Sequence, residues 1–195
     1  ITRNLQLDPI LKRKSVFLLG PRQTGKTTFI ESTFPKAVVF SLLKNDLFLQ
    51  LNANPSLLRN ELELKPNGTL IVIDEIQKIP ELLNEVHFLI EQKRHRFILT
   101  GSSARKLRRG GVNLLGGRAS QIIFHPLNYG EIGKSRFDLL KILNYGTLPS
   151  VFLSTSPDED LKDYVGLYLR EEISAEGLVR KLPSFSRFLE VAALS

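Results

Sequence analysis

Cysteine, methionine and tryptophan are all absent from the 195 residues. Without cysteine there can be no disulfide, no thiolate metal site and no cysteine nucleophile. Histidine is scarce as well: His87, His95 and His125 are the full set, and none has ligand spacing to another. A zinc site is therefore excluded as a sequence expectation. No apolar run approaches the ~18 residues of a membrane-spanning helix, so no membrane partner is expected. The stretch from Ile1 to Leu11 lacks the apolar core and small-residue cleavage site of a signal peptide. These absences together suggest a cytoplasmic protein, and the missing initiator methionine suggests a piece of a longer one. What is present is a 42% apolar share, enough for a core, and a net charge of +7, which suits an anionic partner without identifying one.

The chain is organised around Gly20-Pro21-Arg22-Gln23-Thr24-Gly25-Lys26-Thr27, which fits the phosphate-binding pattern G-x-x-x-x-G-K-[ST]. Val16-Phe17-Leu18-Leu19 before it reads as a buried parallel strand, and Thr27-Thr28-Phe29-Ile30-Glu31 after it opens a helix. Strand, glycine loop and helix are the context this motif needs. Main-chain N–H groups of the loop would curl around phosphate oxygens, with the positive end of the helix dipole behind them. Lys26 would reach the β- and γ-phosphates of ATP, and the Thr27 hydroxyl would hold Mg²⁺.

A second motif completes the chemistry. Thr69-Leu70-Ile71-Val72-Ile73 is the strongest strand signal, and it runs into Asp74 and Glu75. Asp74 is the expected Mg²⁺ ligand, and Glu75 the base that orients and deprotonates an attacking water. A kinase must keep water from the γ-phosphate, so a carboxylate placed to activate water argues for hydrolysis. The Asn-Lys-x-Asp run that reads guanine in GTPases does not occur. Thr100-Gly101-Ser102-Ser103 follows a fourth strand, Phe97 to Thr100, and belongs beside the γ-phosphate because ligands of parallel sheets sit at strand carboxyl ends. A hydroxyl there would position water or sense the phosphate, or, for Ser102 and Ser103, cap the next helix.

Strands are expected at Val16 to Leu19, Ala37 to Ser41, Thr69 to Asp74, Phe97 to Thr100 and Gln121 to Phe124, with helices between them. Among these helices, one starts at Asn54-Pro55, and one carries Leu82, Leu83, Val86, Leu89 and Ile90 on an apolar face. The implied fold is a three-layer α/β P-loop NTPase sandwich on a parallel five-stranded sheet. It occupies residues 1–127, and residues 128–195 form a helical extension that begins a truncated C-terminal domain.

These motifs together resemble the AAA-type P-loop ATPases, and more narrowly the predicted prokaryotic ATPases whose core is followed by a C-terminal domain of unknown function. The likeness rests on the P-loop through Thr28, on Leu70-Ile71-Val72-Ile73-Asp74-Glu75-Ile76-Gln77, on Leu99-Thr100-Gly101-Ser102-Ser103 and on Leu115-Gly116-Gly117-Arg118. Tyr145-Gly146-Thr147-Leu148-Pro149 resembles the junction with the C-terminal domain. The resemblance implies sensor roles for Thr100 and Ser102, an arginine finger at Arg118, and assembly into a homo-oligomer that would bring this finger to a neighbour. For the second sensor arginine, Arg170 and Arg180 are candidates. It also implies the strand order fifth, first, fourth, third, second, which would gather Lys12-Arg13-Lys14, Lys65 and Lys93-Arg94-His95-Arg96 on one edge as a docking surface for nucleic acid or protein. The activity expected is Mg-dependent ATP hydrolysis coupled to conformational change. A nucleotide-dependent switch or scaffold with negligible turnover is the alternative.

Overall fold

In the computed structural model, which describes residues 1–102, 107, 115–169 and 182–193, the chain forms two compact units, Ile1–Phe137 and Asp138–Ser195. Five strands make one sheet in the first unit: β1 (Ser15–Leu19), β2 (Val38–Ser41), β3 (Leu70–Asp74), β4 (Arg96–Gly101) and β5 (Ala119–Ile123). Their order is β2-β3-β4-β1-β5. Every pairing is parallel, with Val16 opposite Ile98, Ser15 opposite Ala119, Val38 opposite Ile71 and Leu70 opposite Arg96. Parallel strands need crossovers, and the helices that make them cover both faces, so the central strands are continuously apolar.

Alternation along each strand divides the core between the two faces. Phe17, Leu19, Ile71, Ile73, Phe97 and Leu99 pack on one side. There they meet Leu51 of α3 (Asn45–Ala53), Leu58 and Leu62 of α4 (Ser56–Glu63), and Leu82, Leu83, Val86 and Leu89 of α5 (Leu82–Lys93). Val16, Leu18, Val72 and Ile98 face the other side. Their partners are Leu11 of α1 (Asp8–Leu11), Phe29 and Ile30 of α2 (Lys26–Thr33), and Phe124. Each fully buried aliphatic side chain of this kind contributes about 1.5–3 kcal/mol.

Local chemistry sets the element ends. Asn54 caps α4 from one residue further out than expected: its Oδ1 accepts from the Ser56 N–H at 3.2 Å and the Ser56 hydroxyl at 2.7 Å. β5 begins at Ala119, two residues earlier than its apolar run suggests, because Ser15 N–H donates to Arg118 O at 3.0 Å and extends the pairing backward. The turn before it, Leu115-Gly116-Gly117, is left-handed at all three residues (φ 56°, 44° and 81°). A short helix α6 (Tyr129–Ile132) follows, closed by a capping box in which Asn128 accepts from the Glu131 N–H and Glu131 from the Asn128 N–H.

Among its described residues the second unit contains α7 (Leu139–Tyr145), α8 (Pro149–Phe152), α9 (Pro157–Asp163), a π-helical turn at Tyr164–Leu169, and α10 (Leu182–Ala193). Asp138 caps α7 by accepting from the Lys141 N–H, and Val151 and Phe152 of α8 are buried. The Tyr145 hydroxyl donates to Asp158 at 3.1 Å, which raises the phenol pKa.

Candidate functional site

The site is built at the carboxyl ends of β1, β3 and β4, where the chain leaves the sheet. Gly20 follows β1 directly, and a Cβ there would lie 2.2 Å from the carbonyl oxygen of Phe124. No other residue type fits at that contact. The loop then turns through Gln23 (φ 62°) and Gly25 (φ 85°), both left-handed, before α2 starts at Lys26. Thr24 is buried, and its hydroxyl donates to Pro21 O at 2.9 Å. Lys26 is buried too: its Nζ donates to Gly20 O at 2.6 Å and Pro21 O at 2.8 Å, so the ammonium lies across the loop it follows. Thr27 and Thr28 are exposed on the first turn of α2, while Arg22 and Gln23 are half-buried.

Asp74 and Glu75 lie at the end of β3, joined to β4 by one hydroxyl. Thr100 Oγ1 donates to Asp74 Oδ1 at 2.5 Å and accepts from the Glu75 N–H at 3.1 Å. Thr100 is fully buried, and Asp74 nearly so. The second oxygen of Asp74 accepts a longer bond from Ser41 Oγ, 3.3 Å. Glu75 is left-handed (φ 62°), a strained setting for a residue with a Cβ, and Gln77 Nε2 donates to its carboxylate. Strain of this kind concentrates where a side chain must be aimed. Ser102 is half-buried in the bend after β4, whereas Ser103 lies outside the described residues. Magnesium fits the donor set: an exposed Thr27 hydroxyl and one loosely held Asp74 oxygen are the few protein ligands an ion that keeps its waters requires.

A residue pattern of the AAA domain matches residues 12–133. The chain belongs to the AAA-domain family. Two uncharacterized proteins, of Mycobacterium bovis and Mycobacterium tuberculosis, are each 28% identical to it over 171 residues, which cover 84% of this chain and 37% of theirs. The AAA chain thus spans little more than a third of those curated relatives. A solved signal-transduction ATPase with numerous domains and a tetratricopeptide-repeat sensor, from Pyrococcus horikoshii, is 17% identical. That match covers 85% of this chain and 27% of the other, with a TM-score of 0.40.

Arg118 stands apart from the nucleotide motifs. Its carbonyl pairs with Ser15 at the start of β1, whereas the P-loop follows the end of that strand. Its guanidinium donates to Glu91 of α5, and this bond, together with the positive charge, holds the Glu91 carboxyl below its ordinary pKa. Arg170 and Arg180, with the basic run Arg105, Lys106, Arg108 and Arg109, lie outside the described residues.

The sheet order brings the starts of β3, β4 and β1 side by side, and with them the basic loops. Lys12, Arg13, Lys14, Lys65 and Arg94 are exposed. Lys93 Nζ donates to Glu63 O at 3.2 Å, and Arg96 is turned inward onto Leu11 O at 3.1 Å. His95 is not part of that edge. It is fully buried, with Nε2 at 3.3 Å from Leu62 O and Nδ1 without a partner among the described residues. Burial lowers its pKa, and the Leu62 carbonyl only partly offsets this. The charged neighbours of His95 in sequence conceal an apolar position on β4's inward approach. Among the described residues, no helix is long and apolar enough to cross a membrane, and no group of acids and histidines forms a metal cluster.

Proposed function

We propose that the chain binds Mg·ATP in the P-loop and hydrolyses the β–γ phosphoanhydride, using the cycle to drive a conformational change. The observation that carries this reading is the single Thr100 hydroxyl, at the end of β4 beside β1, that fixes Asp74 and Glu75 together at the end of β3. Glu75 takes a proton from water, the water oxygen attacks the γ-phosphorus, and the bond to the bridging oxygen breaks to leave ADP and phosphate. Lys26 exchanges its bonds to Gly20 and Pro21 for phosphate oxygens, a trade between acceptors that keeps its charge hydrogen-bonded throughout. Thr27 and Asp74 would hold Mg²⁺, which when bound neutralises charge between the β- and γ-phosphates.

Phosphate release from the wild type and Glu75→Gln tests the reading directly. The variant keeps ATP binding and loses about 10²–10⁴-fold in rate. Equal release from both proteins overturns the assignment. Lys26→Ala loses binding instead: ATP at about 100 times Kd stabilises a folded protein by about 2.7 kcal/mol, and this variant forgoes that gain in a thermal melt.

A second reading, a nucleotide-dependent switch that scarcely turns over, is favoured by the hydrogen bond from Gln77 to Glu75. That bond occupies a carboxylate oxygen that would otherwise be open to an attacking water. Detectable binding with no release by wild type, and release gained by Gln77→Leu, would select the switch.

A further inference from the structure

The N-terminal arm carries a largely buried guanidinium for which the hydrolytic chemistry has no use. Arg3 Nη1 donates to the carbonyl of Thr24, inside the P-loop, at 2.8 Å. Its Nη2 donates to His125 O at 2.6 Å, and its Nε lies 3.0 Å from Glu131 Oε1 in an ion pair. The guanidinium carbon sits 4.0 Å from the centre of the Phe124 ring. Glu131 is held in turn by the N–H groups of Asn4 at 2.9 Å and Asn128 at 3.0 Å. Burial pushes its carboxyl pKa up, but these donors and Arg3 outweigh that and leave it below the ordinary value.

The Thr24–Gly25 peptide is trans, as are all the others in the described residues. In a trans peptide the C=O and N–H point to opposite sides. Arg3 draws the Thr24 carbonyl to itself, and this turns the Gly25 N–H the other way and fixes the peptide between the two left-handed residues of the loop. We propose that Arg3 is a positioning residue for nucleotide binding: its fork holds the P-loop in its phosphate-accepting shape and ties it to the segment Phe124–Glu131. The inference rests on the P-loop being the nucleotide site. Only an arginine can do this. Five donors in a rigid plane reach four acceptors, on Thr24, His125, Pro126 and Glu131, while one face stacks on an aromatic ring, and a lysine offers a single ammonium.

The test is calorimetric titration of the full-length protein with Mg·ATP and Mg·ADP, well below each variant's melting temperature. Arg3→Ala should weaken both ligands by about 10-fold, while turnover at saturating ATP stays within about 2-fold, the pattern for a lost contribution to binding shared by ground and transition states. Arg3→Lys should recover part of the affinity. Should Arg3→Ala fail to fold, Glu131→Gln decides. It keeps an acceptor for the capping box, removes the charge that orients Arg3, and should weaken both nucleotides about 2- to 5-fold. A merely structural role would lower the melting temperature and leave affinity alone. Wild-type affinity in both Arg3→Ala and Glu131→Gln overturns this inference alone. A wild-type chain that binds neither nucleotide overturns the reading of the site, and this inference with it.

Discussion

Arg118 and Glu91 are joined across the turn that precedes β5, guanidinium to carboxylate, at the edge of the sheet opposite the nucleotide motifs. A five-residue parallel strand spans roughly 16 Å, and an arginine reaches roughly 7 Å, so Arg118 does not reach the P-loop of its own chain. The pair is half-exposed, which makes it worth little to stability and easy to exchange.

If Arg118 serves a neighbouring subunit, hydrolysis will depend on assembly. Specific activity will rise with protein concentration, and mixing Arg118→Ala with Lys26→Ala subunits will restore turnover that neither has alone. A finger supplied in trans is worth about 10³–10⁵-fold in other systems. Glu91→Gln, which frees the guanidinium, will leave the mixed activity intact. Activity per subunit that stays constant on dilution, with no rescue on mixing, rules the finger out.

Thr100 should matter twice. Thr100→Val strands the Glu75 N–H and removes a donor from Asp74, both in a buried setting, at a cost of about 1–3 kcal/mol in stability. Phosphate release should fall by about 10-fold or more as Asp74 and Glu75 lose their common reference. Thr100→Ser keeps the hydroxyl and should recover most of the rate. A Val variant that melts lower yet hydrolyses at the wild-type rate would make Thr100 a structural residue only.

His95 predicts the acid limb of stability. Its folded pKa is depressed, first by burial, so the unfolded chain takes up the proton more readily. Stability is complete above the ordinary value of 6.5 and is lost as pH falls below it, through the lowered folded pKa. Thermal melts between about pH 8 and about pH 5 should show a steeper decline for wild type than for His95→Gln. Parallel curves would show that His95 does not control this limb. Glu131, also lowered but from 4.5, acts only in a more acidic window.

The exposed cations Lys12, Arg13, Lys14, Lys65 and Arg94 form the surface on which a polyanion would dock. If single- or double-stranded nucleic acid binds there, each phosphate contact adds about −0.7 to −0.9 to the slope of log affinity against log salt. Substituting Lys12, Arg13 and Lys14 together by glutamine should flatten that slope by about 2–3 units. No binding by the full-length protein at low salt removes nucleic acid from consideration and leaves an acidic protein as the partner to seek.

The legible part of this molecule is the part written in contiguous residues. A strand, a glycine loop and a helix are local, so β1, the P-loop and α2 stand where their sequence puts them. So does the run from Leu70 to Glu75, because branched apolar residues leave few other conformations. Arg3 was invisible for the opposite reason: its partners Thr24, His125 and Glu131 are distant in sequence, and nothing around it distinguishes a buried arginine from a solvated one. The sequence signals Glu131 only through the capping signature Asn128-x-x-Glu131, which flags the helix but not its visitor Asn4. His95 looked basic by company, since periodicity across a strand start is too short to separate an inward residue from its neighbours. Glu91 as the partner of Arg118 needed the crossover to be drawn in space.

β5 is fastened at both ends. Ser15 binds Arg118 at its start, and at its finish Phe124 donates to Leu19 O while its own carbonyl lies against Gly20. The strand is thus a stiff strut between the turn that holds Arg118 and the first glycine of the P-loop, with no soft joint between them. In an assembly where Arg118 engages the neighbour's γ-phosphate, a pull at that turn would be felt at the chain's own phosphate loop. The finger and the phosphate loop of one chain would then be linked through the backbone of a single strand.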